Sequence, residues 1–456
     1  MSNDTIYALA TPPGTGALAI IRICGNSTLK VVQNLTKKNL ANLKPNTAVF
    51  CKIYSENKVL DEVILSYFKT PHSFTGEDII EITCHGSPFI IHETLKLLST
   101  NGARIAAPGE FSMRAYLNGK MDLVQAEAIA DIIAAETANA HNVAMNQMKG
   151  HFSNDINNLK NQLINFASLM ELELDFSEED VEFANRTEFK NLLDELFTTI
   201  NPLIDSFKIG DAIKNGIPVV IAGKPNAGKS SLLNSLLKEE RAIVSEIAGT
   251  TRDTIEEDCI INGIKFKFID TAGLRHAGDQ IEALGIKRAL EKVNTAALVL
   301  YVFDLTENTV DTIINDTKLL SKSSEQIILV GNKRDKCKDL EKNINEFQKS
   351  FSNSFIALSA LKNEGIHELK QLLFEKSVAN NINTNASMVT NLRHLEALRE
   401  TKNALTRVEE GLKNNLSGDL IAMDIRQALY FLGSITGTIV VDDILGTIFS
   451  RFCIGK

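Results

Sequence analysis

Hydrophobic and polar positions follow three different patterns along the chain, and the first pattern covers residues 5–118. Apolar runs of strand length recur there, at Ala17–Ile23, Val59–Phe68 and Asp78–Thr83, and Gly- and Pro-containing turns separate them. One stretch with helical periodicity, Ile90–Ser99, lies among these runs. The alternation predicts an α+β domain.

The second pattern is helical and occupies residues 120–211. Apolar residues recur there at spacings of three and four, which predicts one buried face of a helix. The clearest members of this set are Leu123, Ala126, Ile129, Ala130, Ile133 and Ala134. Helical periodicity returns after the Asn-rich stretch Asn380–Asn385, interpreted as a linker, and continues through Met423–Phe431 and Asp442–Phe449. Both regions predict helices packed as a bundle.

The third pattern, over residues 216–377, alternates strands with helices and is typical of a parallel α/β sheet. The predicted strands are Pro218–Ala222, Lys265–Ile269, Ala297–Phe303, Gln326–Val330 and Phe355–Ala357. Because helical sequence flanks this region on both sides, we predict an α/β domain inserted into a helical one. The predicted boundaries are 1–118 for the α+β domain, 119–212 and 379–456 for the two helical parts, and 213–378 for the inserted domain.

Composition narrows the class of protein. Apolar residues make up 44% and charged residues 23% of the 456 positions, an ordinary globular balance. The net charge of −9 disfavours non-specific coating of nucleic acid, although it leaves room for a local basic patch. No apolar run has the length of a membrane span, and the polar N-terminus lacks the layout of a secretion signal. We therefore expect a cytoplasmic protein with no membrane partner.

The cysteines are far apart in sequence and form no C-x-x-C pair, which disfavours a disulfide framework or a zinc site. They are Cys24, Cys51, Cys84, Cys259, Cys337 and Cys453. We expect most of them to be reduced residues of the core.

A phosphate-binding motif follows the first strand of the inserted domain. Residues 223–230 have the sequence GKPNAGKS, which matches G-x-x-x-x-G-K-[ST], and the helical run Ser231–Leu237 follows. Glycines let backbone N–H groups approach phosphate oxygens, and the helix N-terminus adds positive potential. Lys229 is expected to reach the β- and γ-phosphates, and Ser230 to bind Mg²⁺. The predicted nucleotide contacts here are Asn226, Ala227, Gly228, Lys229, Ser230 and Ser231.

Two further motifs predict the surroundings of the γ-phosphate. The residues Asp270, Thr271, Ala272 and Gly273 follow a predicted strand. A carboxylate at Asp270 can hold Mg²⁺ through water, and the Gly273 N–H can sense the γ-phosphate. In the run GTTRD at residues 249–253, one threonine hydroxyl can complete the Mg²⁺ shell.

Base selection is predicted at the ends of the last two strands. Asn332, Lys333, Arg334 and Asp335 follow one strand, and Ser359, Ala360 and Leu361 follow the other. A carboxylate at Asp335 can accept hydrogen bonds from guanine N1–H and its exocyclic amine, whereas adenine would leave that carboxylate unpaired. Four motifs in this order at strand ends predict a Ras-like P-loop domain that binds GTP.

One position departs from the Ras-like pattern. Leu274 stands where such proteins carry a glutamine that orients the attacking water, and a leucine cannot hold water. Glu282, at the start of the predicted helix Ile281–Val293, is the nearest acidic candidate for this catalytic role. The alternative interpretation of Glu282 is a solvated first-turn carboxylate stabilised by the helix dipole, and the local sequence does not decide between the two.

Several motifs together resemble the tRNA uridine-modifying GTPase family MnmE/TrmE, over the whole chain. Besides Asn226, residues 249–253 and residues 270–274, they are DTI at 4–6, ATPPG at 10–14, SFTGED at 73–78, HG at 85–86, PGEF at 108–111, DLVQAEA at 122–128 and the C-terminal FCIGK. The resemblance implies that the N-terminal domain is similar to folate-binding one-carbon domains.

The resemblance also implies how hydrolysis is assisted. A K⁺ ion would take the place of an arginine finger, with Asn226, Ser245, Ile247 and Thr250 as ligands. Ser230 and Thr251 would bind Mg²⁺, and Glu282 would orient the water through a second water. The residues Ser245, Glu246, Ile247, Ala248, Gly249, Thr250 and Thr251 would together contact the nucleotide and its ions.

A folate site is implied by the same resemblance. A 5-formyl- or 5,10-methylene-tetrahydrofolate would bind Arg22, Glu81, Lys120 and Lys456. A carboxylate can pair with the amide-like edge of the pterin, and cationic side chains with the glutamate carboxylates. For Arg22 and Lys120 a purely structural role is the alternative. Cys453 has two interpretations, a catalytic thiol or one that only packs.

The implied function is GTP-dependent modification of C5 of the wobble uridine in certain tRNAs, to a carboxymethylaminomethyl or aminomethyl group. The implied partners are a second copy of the chain, an FAD-dependent protein in a heterotetramer, and tRNA. Two alternatives stay open at this point: a switch GTPase of ribosome assembly without folate chemistry, and a regulatory binding protein whose hydrolysis is incidental.

Overall fold

The computed structural model describes residues 4–40, 42–175, 186–238, 256–270, 293, 296–318, 320, 326–337, 339–351, 354–377, 387–414, 416–439, 442–450, 452–453 and 455. The chain forms two compact units. The first comprises Met1–Ile133, Met145–Ile200 and Glu396–Lys456, and the second comprises Ala134–Ala144 and Asn201–Leu395. Across the described ranges, no helix is both long and apolar enough to cross a membrane.

A mixed sheet of order β3-β4-β5-β2-β1-β6 forms the core of the first unit. Its strands are β1 (Ile6–Leu9), β2 (Leu18–Cys24), β3 (Ala48–Ser55), β4 (Lys58–Phe68), β5 (Ile79–His85) and β6 (Arg104–Ile105). Three helices accompany it: α1 (Thr28–Leu35), α2 (Pro88–Thr100) and α3 (Glu110–Leu117). The strands and the helix predicted for residues 5–118 are therefore present, whereas β1, β3, β6, α1 and α3 were not predicted from the sequence.

The two faces of this sheet differ because side chains alternate along each strand. In β2 the residues Ala19, Ile21 and Ile23 are buried and pack with apolar residues of α1 and α2. Arg22 points to the opposite face, and the antiparallel register places it beside Glu81 of β5. The alternation thus places a charged pair on the face opposite to α1 and α2, where Phe111 of α3 also packs.

Helices follow the sheet in sequence, as predicted. They are α4 (Leu123–Ala134), α5 (Ala138–Met148), α6 (His151–Asp175) and α7 (Arg186–Asn215). Buried apolar residues recur along α6 at helical spacing, namely Phe152, Ile156, Leu159, Leu163 and Phe166. This stripe is the physical reason for a long helix in a segment of modest hydrophobicity.

The second unit contains an α/β sheet of order β12-β11-β10-β7-β9-β8, in which all pairs are parallel except β8 with β9. Its strands are β7 (Ile217–Ala222), β8 (Glu256–Ile261), β9 (Ile264–Asp270), β10 (Leu298–Asp304), β11 (Ile327–Asn332) and β12 (Phe355–Ala357). Its helices are α8 (Lys229–Lys238), α9 (Val310–Lys318), α10 (Leu340–Phe351) and α11 (Ile366–Ser377). Every strand predicted for residues 216–377 is present, and β8 was missed.

Apolar clusters cover both faces of this sheet, which is the arrangement expected for parallel strands. The central strand β10 is buried along its whole length. Because the strands are parallel, the ends of β7, β10 and β11 lie at one edge, and the loops that follow them meet there. The predicted helix Ile281–Val293 and linker Asn380–Asn385 lie outside the described residues, apart from Val293.

The last three helices are α12 (Leu392–Lys413), α13 (Gly418–Thr436) and α14 (Asp442–Phe449). In the first unit, α13 packs along α6 although the whole of the second sheet separates them in sequence. The predicted fold class, a multidomain protein with an α+β N-terminal domain, a helical bundle and an inserted P-loop α/β domain, is therefore confirmed. The finer boundaries at 118, 212 and 378 stay predictions.

Candidate functional site

The phosphate-binding loop joins β7 to α8, and its backbone requires the residues found there. Gly223 has φ of +144°, and a Cβ added to it would lie 2.0 Å from the carbonyl oxygen of Val302. Only glycine permits this approach to β10. Asn226 has φ of +61°, the left-handed region in which asparagine is better tolerated than most residues.

Lys229 and Ser230 open the ten-residue helix α8. Lys229 is buried, and its Nζ donates to the carbonyl oxygens of Gly223 and Lys224, both at 2.9 Å. Ser230 is exposed in the first turn. An ammonium group folded over a loop at a helix N-terminus concentrates positive potential, which suits an anionic phosphate.

Asn332 connects three loops of the predicted nucleotide site. Its Nδ2 donates to the Ala227 carbonyl oxygen at 2.8 Å, and its Oδ1 accepts the Ala360 N–H at 3.0 Å. The side chain is buried, and a Cβ at Gly228 would lie 2.2 Å from Nδ2. One amide therefore fixes the phosphate loop and the loop after β12 relative to each other.

Asp335 is held by the loop after β12. Ser359 Oγ donates to Asp335 Oδ1 at 2.7 Å, and this hydrogen bond lowers the pKa of Asp335. The carboxylate consequently stays charged at neutral pH and can accept hydrogen bonds from a base. Leu361, two residues beyond Ser359, exposes 79% of its surface beside this position.

Lys333 forms an ion pair that sequence reasoning missed. Its Nζ lies 2.6 Å from Oδ2 of Asp304, the last residue of β10. A buried aspartate at the end of an otherwise apolar strand is the signal that could have identified it. The parallel register of β10 with β11 sets Asp304 beside Asn332, one residue before Lys333.

Part of the predicted site lies outside the described residues. This part comprises Ser245, Glu246, Ile247, Ala248, Gly249, Thr250, Thr251, Thr271, Ala272, Gly273 and Glu282. Asp270 ends β9, and its register partner is Ile221 of β7. The backbone of the predicted Mg²⁺ aspartate is therefore next to the strand that leads into the phosphate loop.

Arg22 and Glu81 form the centre of a second candidate site, in the first unit. Arg22 Nε and Nη2 lie 2.9 and 2.8 Å from Glu81 Oε1, and each side chain is about one-fifth exposed. The guanidinium carbon lies 5.8 Å from the ring centroid of Phe74 and 5.7 Å from that of Phe111. Aromatic rings, a carboxylate and a guanidinium thus lie together on this face of the sheet.

The C-terminal tail reaches this second site. Arg22 Nη1 donates to the Gly455 carbonyl oxygen at 3.3 Å. Gly455 has φ of +101°, and a Cβ there would lie 2.5 Å from the Leu9 carbonyl oxygen, so the tail lies tightly against β1. Cys453 is exposed, whereas Cys24, Cys51, Cys84 and Cys259 are buried. Lys456 lies outside the described residues.

Lys120, the fourth predicted folate residue, contacts the loop before β5. Its Nζ donates to the Pro71 carbonyl oxygen at 3.0 Å, and a Cβ at Gly76 would lie 3.3 Å from its Cγ. The structure therefore brings Arg22 and Glu81 into direct contact and places Lys120 on a neighbouring loop.

An ionic network centred on the buried residues Arg114 and Glu110 supports this region. Arg114 contacts Asp4, Glu77 and Glu110 at 2.8, 3.0 and 3.1 Å, and Arg104 contacts Asp4 and Glu110, both at 2.7 Å. Burial alone would raise the pKa of Glu110, but hydrogen bonds from Arg104, the Ala107 N–H and Arg114 outweigh it and lower the pKa. The network fixes α3, which carries Phe111.

Comparison with known proteins covers the whole chain. The family model of the MnmE helical domain matches residues 123–453, and that of the GTP-binding protein TrmE N-terminus matches residues 5–120. A tRNA modification GTPase MnmE from Cytophaga hutchinsonii is 52% identical over 455 residues, covering 100% of this chain and 98% of that protein.

Two further proteins called tRNA modification GTPase MnmE are each 48% identical to this chain. The one from Christiangramia forsetii aligns over 471 residues and the one from Flavobacterium psychrophilum over 467. In both cases the alignment covers 100% of this chain and 99% of the relative.

Proposed function

The chain belongs to the MnmE family of tRNA modification GTPases, and from that premise we propose that it hydrolyses GTP in order to modify the wobble uridine of certain tRNAs. The observation that carries the GTPase part is the Asn332 amide, which binds both the phosphate loop and the loop that supports Asp335. A phosphate site and a guanine-reading carboxylate are thereby held at a constant separation. GTP binding needs that arrangement.

The residues around the phosphate loop suit Mg²⁺ and K⁺. Ser230 offers a hydroxyl at the start of α8, and Thr251 is its proposed companion as an Mg²⁺ ligand. Asn226 is an exposed amide in the loop itself, a hard oxygen donor suited to K⁺. Ser245, Ile247 and Thr250 complete the proposed K⁺ set. When bound, the two cations would neutralise the charge that develops on the transferred phosphoryl group.

Within this site the chain's own residues bind and orient the nucleotide. Lys229 and the N-terminus of α8 attract the phosphates, Asp335 selects guanine, and Ser359 keeps that carboxylate in position. Glu282 is the proposed catalytic residue, which orients the attacking water through a second water. Leu274 stands where Ras-like proteins carry the glutamine that orients the water, and a leucine side chain cannot take that role.

The second site suits a reduced folate. A pterin is flat and has an amide-like edge, and the structure offers aromatic rings and the Glu81 carboxylate around Arg22. Lys120 and Lys456 are the proposed partners of the glutamate carboxylates. When bound, a 5-formyl- or 5,10-methylene-tetrahydrofolate supplies the one-carbon unit. Arg22 and Glu81 bind and orient it.

The proposed assembly is a cytoplasmic homodimer that joins an FAD-dependent protein in a heterotetramer and acts on tRNA. Two copies are needed if the G domains pair during hydrolysis. Relatives of 48–52% identity match the chain from end to end and not only over the G domain. That whole-chain match favours tRNA modification over a ribosome-assembly switch that shares only the G domain.

Mass spectrometry of nucleosides from total tRNA tests this function, in cells with and without the protein. We expect C5-aminomethyl-type wobble uridines to disappear without it and to return with the wild type but not with Asp270→Ala. Unchanged nucleosides would refute the tRNA assignment, leave the GTPase assignment standing, and favour the ribosome-assembly alternative.

A further inference from the structure

We propose that Asp304, through its ion pair with Lys333, is a positioning residue that holds the guanine-recognition loop ready for nucleotide. The inference rests on the proposed GTP binding and assigns a residue outside the four nucleotide motifs. Lys333 has φ of +63°, in the left-handed region that non-glycine residues seldom adopt without support.

The carboxylate of Asp304 is itself fixed on both sides. Oδ2 faces Lys333 Nζ at 2.6 Å, while Oδ1 accepts the Thr306 N–H at 2.9 Å and the Thr306 hydroxyl at 2.7 Å. Its side chain is 7% exposed, compared with 29% for that of Lys333. A buried carboxylate with donors on both oxygens presents one geometry to the lysine.

The charge state agrees with this geometry. Burial alone would raise the pKa of Asp304, but hydrogen bonds from Lys333 and Thr306 outweigh it and lower the pKa. Asp304 is therefore an anion at neutral pH, and the contact with Lys333 is a charge-assisted hydrogen bond in a largely desolvated setting. Such bonds are roughly twice as strong as neutral ones.

The position of the pair relative to the guanine-reading residues gives it a role in binding. Lys333 lies between Asn332, which binds the phosphate loop, and Asp335, which reads the base. The backbone on both sides is tied as well, since Leu305 N–H donates to Asn332 and Arg334 N–H donates to Leu358. Anchoring the Lys333 side chain further restricts the loop before the nucleotide arrives, which lowers the entropic cost of binding.

Loss of Asp304 should change nucleotide affinity more than the rate of hydrolysis. Asp304 is placed to organise the ground-state site, so its loss should weaken GDP and GTP binding alike and raise KM with little change in kcat. Its action should also require Lys333. These two features separate a positioning role from a general contribution to folding.

A double-mutant cycle on the full-length protein tests the proposal, with the Kd of a fluorescent GDP analogue as the readout and thermal unfolding as a check. We expect Asp304→Asn to weaken GDP binding about tenfold in the wild-type background but less than twofold in the Lys333→Met background. Asp311→Asn, the same change on the exposed first turn of α9, should leave Kd within twofold.

The outcomes are distinct. The proposal would be overturned if Asp304→Asn weakened GDP binding equally in both backgrounds, or if it did not weaken GDP binding in the wild-type background. If Asp304→Asn is poorly folded, Thr306→Ala replaces it in the same cycle. Thr306→Ala keeps the ion pair but removes the hydroxyl that donates to Asp304 Oδ1. About a threefold loss of GDP affinity that vanishes in the Lys333→Met background supports the inference. A loss of affinity that persists in that background refutes it. Failure of the wild type to bind GDP would instead refute the proposed function.

Discussion

The side-chain amide of Asn332 donates to the carbonyl oxygen of Ala227 at 2.8 Å, although 105 residues separate them in sequence. This contact joins the loop that we propose recognises the base to the loop that we propose binds the phosphates. A nucleotide must occupy both loops at once, so their relative position determines how much binding energy it gains.

Loss of this connection should be costly. Asn332→Ala removes one donor and one acceptor from a buried position and leaves the Ala360 N–H without its partner, at about 1–3 kcal/mol per unsatisfied group. We expect the Kd for a fluorescent GDP analogue to rise about 10–100-fold. Asn345→Ala, an amide at an exposed position of α10, is the control and should change Kd less than twofold. A small effect of Asn332→Ala would show that the loops are positioned by other contacts.

Asp335 should determine base choice. Asp335→Asn replaces an acceptor by an amide that can donate, so the site should accept the C2 carbonyl of xanthine in place of the guanine amine. We expect kcat/KM for GTP to fall about 100-fold or more and hydrolysis of XTP to appear. Steady-state assays with GTP and with XTP measure this change in base specificity. A variant that loses GTP without gaining XTP would argue against direct base contact by Asp335.

Potassium should accelerate hydrolysis through Asn226. GTPase rates compared in KCl and NaCl at equal ionic strength are expected to differ by about tenfold or more, because the cation neutralises transition-state charge. Asn226→Ala should abolish the difference. Asn234→Ala, an exposed amide on α8 beyond the loop, should preserve it. Equal rates of the wild type in the two salts would remove the K⁺ proposal.

The ionic network around the buried Glu110 should make stability depend on pH. The pKa of Glu110 is lowered in the folded protein, so its contribution is fully present above the ordinary glutamate pKa of about 4.3 and is lost as pH falls through the folded pKa. Glu110→Gln should lower the free energy of unfolding by about 3 kcal/mol at pH 7. The difference from the wild type should shrink as pH falls below about 4.

Urea unfolding at several pH values measures this dependence. Glu62→Gln, which breaks the exposed pair with Lys52, is the control and should leave the unfolding midpoint unchanged. A pH-independent difference between Glu110→Gln and the wild type would show that the loss comes from packing and not from charge.

Much of the fold followed from local sequence. The strands of the α/β sheet were predicted within two residues at each end, because each is a short apolar run bounded by turn residues. The strand β8 was missed because it begins with the acidic residues Glu256, Glu257 and Asp258 and pairs at the sheet edge. Strand identity at an edge depends on the neighbouring strand more than on apolar content.

The sequence by itself identified the motifs that we predict to bind the nucleotide, because the phosphate loop and the base-recognition loop are short motifs, each local to one strand end. Only the tertiary structure decided which residues distant in sequence are in contact. These pairs are Lys333 with Asp304, Asn332 with Ala227, and Arg22 with Gly455, 433 residues away. Such pairs arise from the way strands, loops and the C-terminal tail pack in three dimensions, whereas hydrophobic periodicity reports only on neighbours within one element.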